Sequence, residues 1–156
     1  MLVGIRDLEN LADSLWEYRF DFGYMEALIL NLEVYQDSIG RGYQNVKIRN
    51  YNPFRDDYID INTLDFVWNN LSREPVRFKI NQKFESDLSG IVHSIGGTSD
   101  KLLVNRRKAP VGIQAYNSIF VKVTSFYMGV RISRHVLKKI VESSRNTSGY
   151  SQSLLM

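Results

Sequence analysis

Apolar residues recur every three or four positions near both ends of the chain, a spacing typical of amphipathic helices. Over Ile5–Phe20 this spacing places apolar side chains on one face and most charged ones elsewhere. A second such segment follows Ser133, a favourable helix N-cap. Its expected buried stripe is Val136, Leu137, Ile140 and Val141. The sequence therefore predicts an N-terminal and a C-terminal helix.

A third helix is predicted near the middle of the chain. Apolar residues over Leu64–Leu71 again have helical spacing. Asn62 or Thr63 can cap this segment, and Pro75 can end it.

Strict alternation of apolar and polar positions predicts strands elsewhere. We expect strands over Leu28–Tyr35, Val76–Ile80 and Ser118–Ile132, the last being the clearest, with Gly129 at a bulge. Residues 37–42 are typical of a hairpin turn, so residues 43–51 are expected to return beside the first strand. A helical stripe also fits the first segment, formed by Met25, Leu28, Ile29 and Leu32.

Together these elements predict an α+β fold with a mostly antiparallel sheet and three helices. Helices do not alternate regularly with strands, which argues against a parallel sheet. We expect one domain over residues 1–142. Residues 143–156 are rich in serine and poor in apolar side chains, which predicts a flexible tail.

The composition excludes several kinds of site. The chain has 156 residues, 44% of them hydrophobic and 24% charged, and no cysteine. Disulfides, thiolate catalysis and cysteine-based zinc sites are therefore ruled out. Acidic residues within the first nine positions do not fit a signal peptide, and the apolar stretches are far shorter than the ~20 residues that span a bilayer. We expect an intracellular protein, cytoplasmic or peripheral at a membrane, neither secreted nor transmembrane.

Charge is distributed unevenly along the chain. Residues 1–78 carry eight basic and thirteen acidic side chains, whereas residues 79–156 carry twelve and four. The candidates for binding an anionic partner are Lys101, Arg106, Arg107, Lys108, Lys122, Arg134, Lys138 and Lys139. Such clustering suits RNA, nucleoprotein or an anionic lipid surface, and the alternative is a solvated basic face that only keeps the protein soluble. An acidic and a basic half also favour head-to-tail contacts between identical chains, which build homo-oligomers or open arrays.

Aromatic residues form a second candidate site. They cluster around a polar loop that also carries arginines, a combination that can stack bases or anchor an interface. The four candidates are Tyr43, Tyr51, Phe54 and Tyr58.

Catalytic motifs are weak. An acidic cluster suggests a Mg²⁺ site or a nuclease, although the same carboxylates suit a loop and a helix start. Its members are Asp56, Asp57, Asp60 and Asp65. His93 and His135 lack metal-ligand spacing. We predict no catalytic residue, no metal, no cofactor and no small-molecule substrate.

The order of elements resembles that of the matrix proteins of rhabdoviruses and related negative-strand RNA viruses. The similarity covers Leu28–Tyr35 with its return, the helix Leu64–Leu71, and Ser118–Ile132 followed by the helix Ser133–Ser144 and a polar tail. The resemblance implies a non-enzymatic protein that self-associates, coats a nucleocapsid and attaches it to a membrane. Arg106, Arg107 and Lys108 would then contact the anionic partner.

The leading functional hypothesis is thus a self-associating structural protein that binds an acidic partner. A small nucleic-acid-binding module, using the same basic residues and the Tyr43–Tyr58 cluster, is the first alternative. A hydrolase or nuclease using the acidic cluster is the second.

Overall fold

A computed structural model describes residues 2–70, 73–94 and 99–155. The fold class is α+β with an antiparallel sheet, as predicted. The helices are α1 (Ile5–Glu17), α2 (Arg19–Phe22), α3 (Tyr24–Tyr35), α4 (Gln82–Val92), α5 (Ile113–Met128) and α6 (Arg134–Leu155), with a short 3-10 helix at Tyr43–Asn45. The strands are β1 (Tyr58–Asp60), β2 (Asp65–Asn70) and β3 (Arg73–Lys79).

The chain divides into two compact units. The first, here the helical unit, comprises Met1–Val34 and Gln114–Met156. The second, here the sheet unit, comprises Tyr35–Ile113. One domain over residues 1–142 remains a prediction.

The N-terminal helix is confirmed as α1. Its buried face consists of Leu8, Leu11, Ala12 and Leu15, which have the predicted spacing. The helix starts after Gly4, whose backbone N–H donates to the Asp7 carboxylate at 2.9 Å. The segment that follows turns into the short helix α2 instead of extending α1 to Phe20.

The strand predicted over Leu28–Tyr35 is wrong, because this segment belongs to α3. Every residue from Ala27 to Val34 is buried. A helix buried on all sides shows no polar face, so its periodicity cannot separate it from a buried strand. The predicted return strand over residues 43–51 is wrong as well: the 3-10 helix Tyr43–Asn45 begins that segment, and Lys47 makes only isolated bridges.

The strand predicted over Ser118–Ile132 is also wrong, since α5 covers most of it. Tyr116, Phe120, Val123 and Thr124 are buried at helical spacing. The β-branched residues between positions 119 and 124 alternate with other types and imitate a strand, but tertiary packing overrides this weak preference. Gly129 ends the helix instead of forming a bulge. Its φ is +68°, and its N–H donates to the Ser125 carbonyl at 3.1 Å.

The C-terminal helix is confirmed as α6. The Ser133 hydroxyl accepts the Val136 N–H at 3.3 Å, as expected of an N-cap. Leu137 and Val141 are fully buried, whereas Val136 is 44% exposed and does not belong to the stripe. Helix α6 continues to Leu155, past the boundary at residue 143, and the flexibility of residues 143–156 stays a prediction. Met156 lies outside the described residues.

The helix predicted over Leu64–Leu71 is wrong where the structure describes it, because residues 65–70 form β2. This strand lies between β1 and β3, and both pairings are antiparallel. Phe66, Val67 and Trp68 are consecutive and all buried, so no alternation identifies the strand. Leu71 lies outside the described residues. The strand predicted at Val76–Ile80 is confirmed within β3.

Two further segments, around Lys47 and around Lys101, continue the backbone pairing beyond β1. Lys47 bridges Tyr58 on one side and Lys101 on the other. The Ile59 N–H donates to the Lys47 carbonyl at 3.0 Å, and the Leu102 N–H donates to the Val46 carbonyl at 2.9 Å. Residues 100–102 are therefore held in place beside the sheet, and the chain leaves them toward the basic segment.

Candidate binding site for an acidic partner

The basic segment Arg106–Lys108 forms the tip of a tight hairpin in the sheet unit. Val104 and Pro110 form an antiparallel bridge at its base. The Asn105 N–H donates to the Ala109 carbonyl at 2.8 Å, and the Val111 N–H donates to the Leu103 carbonyl at 3.1 Å. Residues 105–109 thus form a defined turn.

The side chain of Asn105 organises this tip. Its Oδ1 accepts the backbone N–H of Arg107 at 2.9 Å and that of Ala109 at 3.1 Å. The Lys108 N–H donates to the Asn105 carbonyl at 2.9 Å, and Lys108 has a φ of +62°. A turn followed by one left-handed residue is a common three-residue hairpin loop. The backbone N–H groups of Arg107, Lys108 and Ala109 are therefore hydrogen-bonded within the hairpin.

All three basic side chains of the tip are exposed. In the described part of the chain, no carboxylate forms an ion pair with Arg106, Arg107 or Lys108. Three adjacent cations on a short loop raise the local positive potential, which attracts anionic groups. Lys101 precedes the hairpin in the same unit, and its Nζ donates to Asn45 Oδ1 at 3.2 Å. We call Arg106, Arg107 and Lys108 the basic tip.

Two other predicted anion-binding residues have an internal partner. Arg134 Nε lies 2.7 Å from Glu33 Oε2, and Lys138 Nζ lies 3.3 Å from Glu33 Oε1. The Tyr116 hydroxyl donates to the same carboxylate. Glu33 is fully buried in α3, so this network joins α3, α5 and α6 within the helical unit. Arg134 and Lys138 thus neutralise a buried charge.

The pKa of Arg134 is consistent with this ion pair. Burial of the guanidinium opposes its charge, but the hydrogen bond from Arg134 to Glu33 and the charge of that carboxylate outweigh burial and raise the pKa of Arg134. The remaining candidates, Lys122 on α5 and Lys139 on α6, are exposed in the helical unit. Of the eight predicted residues, the basic tip and Lys101 belong to the sheet unit, and the other four to the helical unit.

The four aromatic candidates have different environments. Tyr43 is fully buried, with its ring 5.2 Å from Phe66 and 5.3 Å from Trp68, measured between centroids. Tyr51 stacks on the buried Tyr58 at a centroid distance of 4.1 Å. Phe54 is exposed. Burial, and to a lesser extent the nearby charge of Asp60, raises the pKa of Tyr51.

The predicted acidic cluster consists of ion pairs. Asp56 pairs with Lys47 at 3.1 Å and Asp57 with Arg41 at 2.9 Å, while Asp60 lies 3.0 Å from Arg77. Asp65 shares Arg77 at 3.5 Å. Groups of three or more potential metal ligands are absent from the described residues. These carboxylates therefore belong to ion pairs in the loop and the sheet around them.

The pKa values of two of these carboxylates are shifted in opposite directions: that of Asp56 is lowered and that of Asp57 is raised. The backbone hydrogen bond from Asn52 and the ion pair with Lys47 lower the pKa of Asp56. Burial raises the pKa of Asp57, although the Asn69 N–H and Arg41 act in the opposite direction. Asp57 accepts that N–H at 2.8 Å.

The two histidines lie apart from the acidic cluster in the sequence. His93 caps the end of α4 and is exposed, with its Nδ1 2.8 Å from the Ser89 carbonyl oxygen. His135 is exposed on α6.

Sequence reasoning missed a set of exposed aromatic residues in the helical unit. Their exposed fractions reach 77% for Phe20 and 79% for Phe126. The set also contains Tyr18, Phe22 and Tyr127. The signal was present in Tyr18-Arg19-Phe20-Asp21-Phe22, where aromatic residues occupy alternate positions in a segment too polar to be buried on both sides.

Comparisons with protein-family models, with curated proteins and with solved structures return no match for this chain. Within the described residues, no helix combines the length and the apolar character needed to cross a bilayer.

Proposed function

We propose that the protein is a non-enzymatic assembly protein, of the viral matrix type, that self-associates and binds an acidic partner. The observation that carries this proposal is the basic tip. Its three cations are exposed on a hairpin with internally bonded backbone, and no described carboxylate neutralises them. Other basic residues, such as Arg41, Lys47 and Arg77, already pair with aspartates.

An anionic membrane surface is the acidic partner that these features fit best. Recognition of single-stranded RNA relies on exposed aromatic rings that stack on bases. Tyr43 is buried and Tyr51 stacks on Tyr58, so these two rings are not available to stack on bases. The basic tip offers charge without such a stacking surface beside it in the sequence. A lipid headgroup layer requires only charge, and each Lys or Arg near it contributes about 1 kcal/mol.

Vesicle partitioning tests the membrane part of the proposal. The three cations together are worth about 3 kcal/mol, so Arg106→Ala/Arg107→Ala/Lys108→Ala should lower partitioning into phosphatidylserine-containing vesicles about a hundredfold at low salt. The matched control is Arg6→Ala/Arg55→Ala/Arg131→Ala, which removes the same charge from exposed positions elsewhere. It should lower partitioning much less, and equal losses would contradict a role for the tip.

A parallel titration with a homopolymeric RNA separates the two acidic partners. The membrane proposal predicts weak RNA binding that both triple variants reduce equally. Tight RNA binding that only the tip variant abolishes would replace the membrane with a nucleic acid as the partner.

Self-association is tested by light scattering of the unmodified protein across concentration, at low and physiological salt. The proposal predicts a mass that grows with concentration and falls as salt is added, because charge contacts are screened. A monomer under all these conditions would contradict the assembly role.

A further inference from the structure

Four exposed aromatic residues of the helical unit are linked by ring contacts, and Phe20 lies between Tyr18 and Phe22 in the sequence. The ring centroids of Tyr18 and Phe22 are 6.4 Å apart, and those of Phe22 and Tyr127 are 5.6 Å apart. Phe126 contacts Tyr127 at 4.8 Å. Phe20 stacks on Tyr24 at 5.6 Å. We call Tyr18, Phe20, Phe22, Phe126 and Tyr127 the aromatic patch.

This patch is unusual for a surface. Single exposed apolar residues are common on proteins, but contiguous groups mark interaction sites. Phe20 and Phe126 expose more than three quarters of their surface, and Phe22 exposes half. Their hydration is costly, so a partner that covers them gains apolar burial.

Carboxylates flank the Tyr18–Phe22 part of the patch, whereas Lys122 lies one helical turn before Phe126 on α5. Glu17 precedes Tyr18 and is exposed, and Asp21 is exposed between Phe20 and Phe22. The Glu26 carboxylate lies against Gly23. Its Oε2 is 2.5 Å from the position that a side-chain Cβ at residue 23 would occupy. Burial and the nearby charge of Glu26 both raise the pKa of Tyr127, which places this third carboxylate near the patch. An acidic rim repels an anionic membrane and attracts a basic partner.

The patch also contains an example of how a cation can bind there. The Arg19 guanidinium lies 4.3 Å from the ring centroid of Trp16 and 4.7 Å from that of Phe20. Arginine stacks on aromatic faces in this way because the ring quadrupole attracts its planar cation. A partner with exposed arginines would repeat this contact on the outer rings.

We propose that the aromatic patch of one copy binds the basic tip of a second copy of this chain. The inference rests on the proposed function, whose self-association it explains; a tip bound to a patch cannot also contact lipid, so assembly and membrane binding compete for the tip. The basic tip carries two arginines and a lysine, all exposed, and therefore complements the aromatic rings and their acidic rim. Because the two surfaces differ, the contact is heterologous, so each copy can bind one neighbour through its tip and another through its patch. Such contacts build a ring or an open array.

Charge reversal tests this contact with light scattering at low salt. The tip variant is Arg106→Glu/Arg107→Glu/Lys108→Glu, and the patch variant is Glu17→Lys/Asp21→Lys. All five positions are exposed, so both variants should stay folded, which circular dichroism checks. Each variant alone should assemble at least about tenfold more weakly, because like charges then face each other.

Mixing the two variants gives the decisive result. The acidic tip of one variant then meets the basic rim of the other, and the native tip of the second meets the native patch of the first. We expect the equimolar mixture to recover the mass of the unmodified protein. A mixture that remains as small as the separate variants would overturn the proposed contact.

Two further outcomes separate this inference from the proposed function. If the unmodified protein assembles and both variants assemble equally well, the tip-to-patch contact is wrong while self-association stands. If Phe20→Ser/Phe126→Ser lowers vesicle partitioning without changing the mass, the patch binds lipid and not a second copy. A monomeric unmodified protein would remove both proposals.

Discussion

Basic residues cluster both in the basic tip and at the start of helix α6, but their surroundings differ. Arg134 and Lys138 contact the buried carboxylate of Glu33, whereas Arg106, Arg107 and Lys108 are exposed and pair with no described carboxylate. A buried charge is costly unless it is neutralised, so α6 cannot release its cations without loss of stability. Clustered basic residues therefore differ in whether folding brings a carboxylate to them.

The strongest challenge to this comparison is removal of the buried charge. Glu33→Gln leaves Arg134 and Lys138 without their carboxylate, and breaking such a buried pair costs about 3 kcal/mol or more. We expect a loss of this size in the free energy of unfolding, measured by urea titration. The control Glu142→Gln is exposed on the same helix and should change stability by less than about 0.5 kcal/mol. Equal effects would show that the Glu33 network is not stabilising.

A smaller effect is expected from one cation of the network. Arg134→Ala removes the 2.7 Å contact but leaves Lys138 and Tyr116 on Glu33. Hydrogen bonds to charged groups contribute about 1.5–3 kcal/mol, so the unfolding free energy should fall by about 2 kcal/mol. Arg131→Ala, at an exposed position just before α6, should leave it nearly unchanged. Equal unfolding free energies for Arg134→Ala and Arg131→Ala would show that Arg134 does not stabilise the fold and would return it to the candidates for binding.

The order of the basic tip should depend on Asn105. Asn105→Ala removes the acceptor for the Arg107 and Ala109 amides, at a cost of about 1 kcal/mol. Amide exchange at these two positions should accelerate while the rest of the sheet unit is unaffected. Vesicle partitioning should fall only a few-fold, about 0.5–1 kcal/mol, because all three cations remain. A loss as large as that of the triple tip variant would show that backbone geometry, and not charge, controls binding.

The smallest expected effects concern the paired aspartates and pH. The pKa of Asp56 is lowered, so its stabilisation is present above the ordinary value of 3.8 and is lost as pH falls through the lowered pKa. The pKa of Asp57 is raised, so its ionisation costs stability as pH rises above 3.8 through the raised pKa. Asp56→Asn and Asp57→Asn should therefore change the slope of unfolding free energy against pH in opposite directions. Changes of the same sign in urea titrations from pH 3 to pH 7 would contradict these shifts.

The sequence predicted the elements whose surroundings are simple. Helix α1 has one buried face, Ser133 caps α6, and β3 contains the predicted alternation, so local pattern and final structure agree. In these segments, residues close in sequence are enough to predict the type of element, and contacts with residues distant in sequence do not change it.

Two of the wrong predictions share a physical cause. Helix α3 and strand β2 are buried on more than one side, which removes the polar positions that reveal a period. The order of elements that resembles viral matrix proteins used both of these segments and the segment that forms most of α5, so that resemblance stays a prediction. The Glu33 network was out of reach for another reason: Arg134 lies 101 residues from Glu33 in sequence, and only folding joins them.

We propose that the basic tip binds a partner, whereas Arg134 and Lys138 of α6 stabilise the fold through Glu33. The most direct test measures vesicle partitioning and unfolding free energy for both Arg106→Ala/Arg107→Ala/Lys108→Ala and Arg134→Ala. We predict that the tip variant loses about a hundredfold in partitioning and less than about 0.5 kcal/mol in stability, and that Arg134→Ala shows the reverse pattern. A tip variant that partitions like the unmodified protein would contradict the account.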